Sequence, residues 1–179
     1  MLLNKINYRL RTKISLKKYP KCTCSPIAMY NILKWAKIKT YNNELVNEKF
    51  LKTTLPLLLN TEIPYVTANN LTIYGTNWCD SSSFIAKLSK DFKIKVKSKY
   101  DISIKEIDKH LDNNGIICVF DEEHVWLLIG TDTPFKNGER YYKHINQCFE
   151  LPFICEKDLV KRLKYNKKFE YTEYVLLSK

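Results

Sequence analysis

The chain has 179 residues, of which 45% are hydrophobic and 27% are charged, so its composition is that of a globular protein long enough to bury a core. Its four glycines are too far apart for a dinucleotide-binding fingerprint or a phosphate-binding loop, and no uncharged stretch is apolar enough to predict a membrane span. The net charge of +11 arises in residues 1–43, which hold ten basic residues and no acidic one, but only four of the thirty cations are arginine, so this excess does not favour nucleic acid as the partner.

Helical patterns dominate the first half of the chain. After a basic segment over residues 1–21, apolar residues recur at spacings of three and four from residue 25 to about residue 37, and a proline suits the first turn of this predicted helix. Residues 40–79 have the least clear pattern, and their leucine-rich run between two prolines fits either a short helix or a buried loop. A second helix is expected from Asp80, its N-cap, to about residue 91.

Strand patterns dominate the second half. Residues 94–96 alternate apolar side chains with lysine, as in a half-exposed strand, and Ser103 with Glu106 forms the capping box of a helix that we expect to stop at Gly115. Four runs rich in β-branched and aromatic residues predict strands, and a surface helix is predicted before the last of them. The strands cover residues 116–120, 124–130, 140–146 and 171–177, and the helix covers residues 156–165. The predicted fold class is α+β, in a single domain over residues 1–179, with helices first and a mostly antiparallel sheet toward the C-terminus.

The cysteines and the N-terminal residues predict a cellular compartment. The first twenty residues contain no apolar block of the kind found in a secretory signal, so we expect an intracellular, cytoplasmic protein. In that reducing environment the six cysteines are predicted to be thiols. They form no C-x-x-C pair, and the three histidines lack zinc-finger spacing, so we expect no metal site. The pattern indicates no particular oligomeric state.

Two residues are candidates for nucleophilic chemistry. Cys24 lies at the start of the first predicted helix, where unpaired N–H groups and the helix dipole favour a thiolate. His124 begins a predicted strand directly after an acidic turn, and a rigid strand end holds an imidazole as a general base requires. The alternatives are a structural buried cysteine and an ordinary surface histidine at the end of a strand.

A third candidate follows if the strands on either side of residues 131–139 form a hairpin. A symmetric register places His124 opposite Asn146. It also places Trp126 opposite His144, on the same face of the sheet. The Asn146 amide would then accept the His124 ring N–H and fix its tautomer, while the Trp126 indole would shield the pair from water. A shift of one residue would move Asn146 to the other face, where it would be an ordinary residue at a strand end.

The order Cys, His, Asn, with the cysteine on an early helix and the other two on a later sheet, resembles that of the papain-like cysteine peptidases. Residues 24–28 (CSPIA) are similar to the Cys-Gly-Pro-small-Ala motif of the subgroup that cleaves double-glycine leader peptides, with serine in the glycine place. Residues 124–130 (HVWLLIG) are similar to the strand that begins with the histidine of that subgroup. The similarity extends over residues 18–150.

This resemblance implies a papain-like fold, in which the N-terminal catalytic helix packs on the C-terminal sheet. It implies a thiol hydrolase that cleaves a peptide or isopeptide bond in a protein or peptide substrate, without a metal or an organic cofactor. In such an enzyme Cys24 would be the nucleophile, His124 the general base, and Asn146 the residue that orients His124.

The chain departs from the family at one position. Members carry a glutamine about six residues before the cysteine, and its side chain helps to bind the oxyanion; here that position is Lys18. Losing one such donor costs on the order of 100-fold in rate. The departure therefore implies that another side chain replaces the glutamine, that the backbone N–H binds the oxyanion alone, or that the protein is an inactive relative. The candidate oxyanion and substrate-binding residues are Lys18, Tyr19, Thr23 and Trp126.

Two other functions remain open from the sequence. The same triad could transfer the acyl group to an amine or thiol, as in an acyltransferase of the transglutaminase kind. A non-catalytic module could instead use the basic N-terminal third to bind nucleic acid or an acidic partner, and steep salt dependence of binding with an unreactive Cys24 would favour it.

Overall fold

The computed structural model describes residues 24–61, 64–66, 72–74, 76–121, 124–132, 139–145, 153–166 and 172–179. The chain divides into two compact units, residues 1–92 and residues 93–179. Helices make up most of the described part of the first unit, and a large sheet forms the basis of the second. That the two units together form a single domain over residues 1–179 stays a prediction.

Three helices and two short strand pairs form the described part of the first unit. The helices are α1 (Cys24–Trp35), α2 (Glu48–Leu58) and α3 (Trp78–Phe92). The antiparallel pairs are β1 (Thr40–Tyr41) with β2 (Glu44–Leu45), and β3 (Pro64–Val66) with β4 (Thr72–Tyr74). The helix predicted from residue 25 is confirmed. Residues 40–79, unclear in the sequence, contain α2 and both strand pairs.

The start of α3 differs from the prediction. Asp80 lies inside the first turn, and the cap is Asn77, whose side-chain oxygen accepts a hydrogen bond from the Cys79 backbone N–H at 2.9 Å. The Asn77 carbonyl also accepts the Ser81 backbone N–H at 3.2 Å. The prediction of Asp80 as the N-cap was wrong because Asn and Asp cap helices about equally well, and the chain offers both within one turn.

Helix α1 is the central element of the first core. Ten of its twelve residues are buried, which agrees with its apolar composition on all sides. Its buried amide, Asn31, donates a hydrogen bond to the Ile27 carbonyl at 2.8 Å, within the same helix. Phe50 of α2 and Phe84 of α3 both pack against the ring of Tyr41. Cys24 therefore begins a helix that is buried along almost its whole length.

An antiparallel sheet of six strands and two helices form the described part of the second unit. In spatial order the strands are β5 (Lys95–Lys99), β10 (Glu173–Ser178), β6 (Ile116–Asp121), β7 (His124–Asp132), β8 (Tyr141–Ile145) and β9 (Phe153–Cys155). The helices are α4 (Ile104–Asp112), after β5, and α5 (Glu156–Asn166), after β9. The predicted α+β class with an antiparallel sheet in the C-terminal half is confirmed. None of the helices in the described ranges is long and apolar enough to cross a bilayer.

Both faces of the central strands are buried. On one face, Trp126 and Leu128 of β7 share a core cluster with Ile107 of α4 and Leu159 of α5. The opposite face carries a second set of buried side chains, from four neighbouring strands. They are Cys118, Phe120, Val125, Leu127, Ile145 and Val175. Strand β6 is consequently buried at all six positions, which explains the apolar run over its first five residues, before Asp121.

Helix α4 begins as predicted and ends one residue earlier than predicted. Both hydrogen bonds of the capping box between Ser103 and Glu106 are present. At the other end Asn114 adopts the left-handed conformation, with φ of 59°, so the residue that stops the helix is not Gly115. Gly115 has a different role, because a Cβ atom there would lie 2.3 Å from Nε2 of His110. The glycine leaves room for that imidazole.

Candidate functional site

Cys24 is the first residue of α1 and is half-buried. The residue after it, Ser25, is 1% exposed, and its hydroxyl makes no hydrogen bond to a residue that the structure describes. Because a helix N-terminus presents unpaired backbone N–H groups, negative charge on a sulfur or on an oxygen bound beside it is favoured there. The local geometry predicted for Cys24 is therefore present.

A helix N-terminus alone does not distinguish Cys24 from the other thiols. Cys79 is exposed and lies in the first turn of α3. Cys155 directly precedes α5, and its thiol donates a hydrogen bond to Asp158 at 3.2 Å. This bond and the Lys161 ammonium hold the pKa of Asp158 below its ordinary value. Three of the four described cysteines are thus at helix starts, and what would set Cys24 apart is a histidine.

His124 is the first residue of β7 and is half-buried. Its partner across the β6–β7 pair is Asp121, the last residue of β6. Asp121 is 8% exposed and accepts hydrogen bonds at one carboxylate oxygen from the Trp126 indole at 2.8 Å and from the Arg162 guanidinium at 2.7 Å and 3.2 Å. The strand end that carries His124 is therefore joined to α5 by a partly buried ion pair.

Neither Asp121 nor Arg162 was predicted as a polar partner in this region. Asp121 was assigned to an acidic turn, whereas it is the last paired residue of β6. The guanidinium of Arg162 lies over the Trp126 ring at 4.9 Å, so its position depends on the folded sheet. A signal for Asp121 was available in the spacing, since a turn of two residues makes Asp121 and His124 neighbours across a hairpin.

The structure places Trp126 in the core of the second unit. Its side chain is 1% exposed, and its indole N–H is already donated to Asp121. Its ring is 6.2 Å from the ring of His144, at an angle of 87°. A donor role toward a substrate would require the bond to Asp121 to break, whereas a packing role behind the start of β7 is consistent with the observed contacts.

The predicted register of the β7–β8 hairpin was wrong. His144 lies opposite Leu128 and not opposite Trp126, and Ile145 lies opposite Leu127. The register shifts between Leu128 and Gly130, where β7 contains one residue more than β8. A symmetric pairing cannot include such a bulge. The displacement at His144 is two residues, so Trp126 and His144 nevertheless share one face, as predicted.

The other predicted site residues lie outside the described residues. These are Asn146, Lys18, Tyr19 and Thr23. Cys24 belongs to the first compact unit and His124 to the second. Among the described residues no group of three or more His, Cys, Asp or Glu side chains is arranged to hold a metal ion.

No protein-family model matches the chain, and no curated protein or solved structure is significantly similar to it. The resemblance to papain-like peptidases therefore depends on the residues of this chain, namely the CSPIA helix start, the HVWLLIG strand and their order.

Proposed function

We propose that the protein is a papain-like cysteine peptidase, a thiol hydrolase that cleaves a peptide or isopeptide bond. The observation that carries the proposal is the position of Cys24 as the first residue of the buried helix α1. Further support comes from His124, which begins a central strand of an antiparallel sheet whose adjacent strand end is fixed by the Asp121–Arg162 ion pair. Helix first and antiparallel sheet second is the order that such an enzyme requires.

In the proposed reaction, Cys24 loses its proton to His124 and its sulfur attacks the carbonyl carbon of the substrate. The carbonyl oxygen becomes an oxyanion, which backbone N–H groups at the start of α1 are suited to stabilise. The C–N bond then breaks, and the leaving amine takes the proton from His124. Water, deprotonated by His124, hydrolyses the thioester and restores the thiol. The resemblance assigns to Asn146 the role of accepting the second ring N–H of His124 and holding its tautomer; this role depends on the resemblance and not on the strand register, which differs from the predicted one.

The test is alkylation with limiting iodoacetamide from pH 5 to pH 8, followed by mass mapping of the modified cysteine. We expect fast modification at Cys24 in the native protein, with an apparent pKa below that of an ordinary thiol, and a slowing of about tenfold or more in His124→Ala. An imidazolium close to the sulfur stabilises the thiolate, and removing it removes that stabilisation.

Cys79 provides a matched control within the same chain, because it is also in the first turn of a helix and is more exposed than Cys24. Its alkylation rate should be the same in the native protein and in His124→Ala. Equal rates at the two cysteines, or a His124→Ala variant in which Cys24 reacts as fast as before, would overturn the proposal.

The role of Asn146 requires a separate variant. Asn146→Ala should lower the rate of peptide hydrolysis about tenfold or more while leaving the alkylation of Cys24 largely intact, because the amide orients the base and does not form the ion pair. An unchanged hydrolysis rate would remove Asn146 from the mechanism.

A further inference from the structure

Strand β5 forms one edge of the six-stranded sheet. In the described part of the chain its neighbour is β10, paired from Lys95 opposite Ser178 to Lys99 opposite Tyr174. Its first four residues are exposed, and Lys99 is partly buried. In an antiparallel ladder about half of the N–H and C=O groups of an edge strand point away from its neighbour, so β5 presents backbone groups that can pair with another strand.

The side chains of this edge are strongly basic. Lys95, Lys97 and Lys99 alternate along β5 and therefore share one face. Lys99 forms an ion pair with Glu106 of α4. Among the described residues no carboxylate forms an ion pair with Lys95 or Lys97, and the side chains on the other face of β5, Val96 and Ser98, are exposed. Two unneutralised cations thus lie about 7 Å apart beside the open edge.

We infer that β5 binds an extended acidic segment of a partner protein by strand addition. Lysines on an edge strand repel a second basic strand and disfavour an apolar one, whose pairing would desolvate the ammonium groups, and many proteins prevent aggregation in this way. The same charges attract a strand that carries carboxylates at alternate positions, because residues opposite each other on paired strands approach to about 5 Å. Main-chain hydrogen bonds would then supply affinity, and the two lysines would select an acidic partner.

A protein segment fits this edge better than nucleic acid does. The lysines repeat with the two-residue period of a β-strand, which matches alternate side chains of an extended peptide. No arginine and no aromatic ring lies within β5 itself, although these side chains contribute most to phosphate and base recognition. This inference concerns only the second unit and does not depend on the proposed peptidase activity.

The test measures binding of a fluorescent peptide that alternates threonine and glutamate and is long enough to span the five residues of β5. We expect saturable binding to the full chain, weakened about tenfold or more by Lys95→Glu/Lys97→Glu, since two attractive pairs become repulsive. Hydrogen exchange at the amides of residues 95–99 should slow when the peptide binds, because its strand covers them. The same peptide N-methylated along its backbone should bind more weakly, because it retains the charges but cannot donate hydrogen bonds.

A matched control is Lys157→Glu/Lys161→Glu on α5. These exposed lysines line a shallow groove of about 510 Å³ beside Arg140, so the variant has the same change of net charge on the same unit. Binding should be nearly unchanged in it. Equal weakening in both double variants, no slowing of exchange in β5, or tighter binding of an oligothymidylate at Lys95 and Lys97 than of the peptide would overturn the inference. Because Cys24 takes no part in this binding, failure of the binding assay leaves the alkylation result unaffected.

Discussion

Asp121 concentrates the polar interactions of the second core in one side chain. The residue is only 8% exposed, and one of its carboxylate oxygens accepts hydrogen bonds from both Trp126 and Arg162. A buried carboxylate is tolerated only when it is paired and hydrogen-bonded, and here the guanidinium supplies both conditions. Because Asp121 ends β6 and pairs with the first residue of β7, this cluster stabilises the hairpin end that carries His124.

We therefore expect Asp121→Asn to lower the free energy of unfolding by about 1–3 kcal/mol, because it leaves the Arg162 charge partly buried without its counter-ion. The measurement is urea unfolding followed by circular dichroism. Asp158→Asn is the control, because both partners of its ion pair with Lys161 are more than half exposed, and it should cost clearly less than Asp121→Asn. Equal losses for the two variants would show that the Asp121 cluster stabilises the fold no more than an exposed ion pair does.

Gly115 is required by a close approach to a side chain. The ring nitrogen Nε2 of His110 lies 3.1 Å from the Ile116 carbonyl and 3.0 Å from the Leu177 carbonyl, so this imidazole connects α4 with β6 and β10. A methyl group at position 115 would overlap the ring. We expect Gly115→Ala to lower the free energy of unfolding by about 1–3 kcal/mol, by displacing His110 from those carbonyls.

A double-mutant cycle checks the cause of that loss. In a His110→Ala background the overlap is absent, so Gly115→Ala should cost a few tenths of a kcal/mol or less. The same cost in both backgrounds would mean that position 115 acts through its backbone conformation and not through the imidazole.

Among the elements, α4 has the best-defined start, and its cap has a pH dependence. Hydrogen bonds from Lys99 and from the backbone and side chain of Ser103 lower the pKa of Glu106 from 4.5 to about 2. A carboxyl group whose pKa is lower in the folded state stabilises the fold fully above pH 4.5, and this contribution is lost as the pH falls toward 2. The Glu106 side chain is 45% exposed, so the contribution is below about 1 kcal/mol.

The expected result is that Glu106→Gln is less stable than the native chain at pH 7 and that this difference shrinks as the pH falls from 5 to 2. Lys99→Gln tests the cause, because removing the ammonium should raise the pH at which the Glu106 carboxyl group titrates. The titration is followed by the NMR chemical shift of its carboxyl carbon. A midpoint that is the same with and without Lys99 would contradict the assigned origin of the shift.

For the whole molecule, periodicity and caps predicted the elements better than their pairing. Helix α1, the capping box of α4 and the strands β6, β7, β8 and β10 were predicted because local apolar spacing determines them. Helix α2 was ambiguous because Pro56, which usually ends a helix, lies inside its last turn. There the missing N–H costs one intrahelical bond, and the burial of Phe50 and Leu55 outweighs that loss.

The register of β7 and β8 required information that the sequence does not contain locally. The bulge at residue 129 changes which residues face each other, and it depends on packing of both faces of the sheet. The candidate site shows the same difference between features set by local sequence and features set by contacts between distant segments. Cys24 and His124 were predicted at the starts of their elements, whereas the Asp121–Arg162 pair depends on contacts between segments 41 residues apart.

The position of β10 determines when the sheet can form during synthesis. Residues 173–178 lie between β5 and β6, so both of those earlier strands leave the ribosome without the neighbour that joins them. Until β10 has been translated, the basic edge of β5 cannot be attached to the sheet, and one side of β6, which is buried along its whole length in the folded protein, is open to chaperones or to other nascent chains. A premature stop codon before residue 173 would therefore remove the strand that closes the middle of the sheet, and the truncated product would be a substrate for cellular proteolysis.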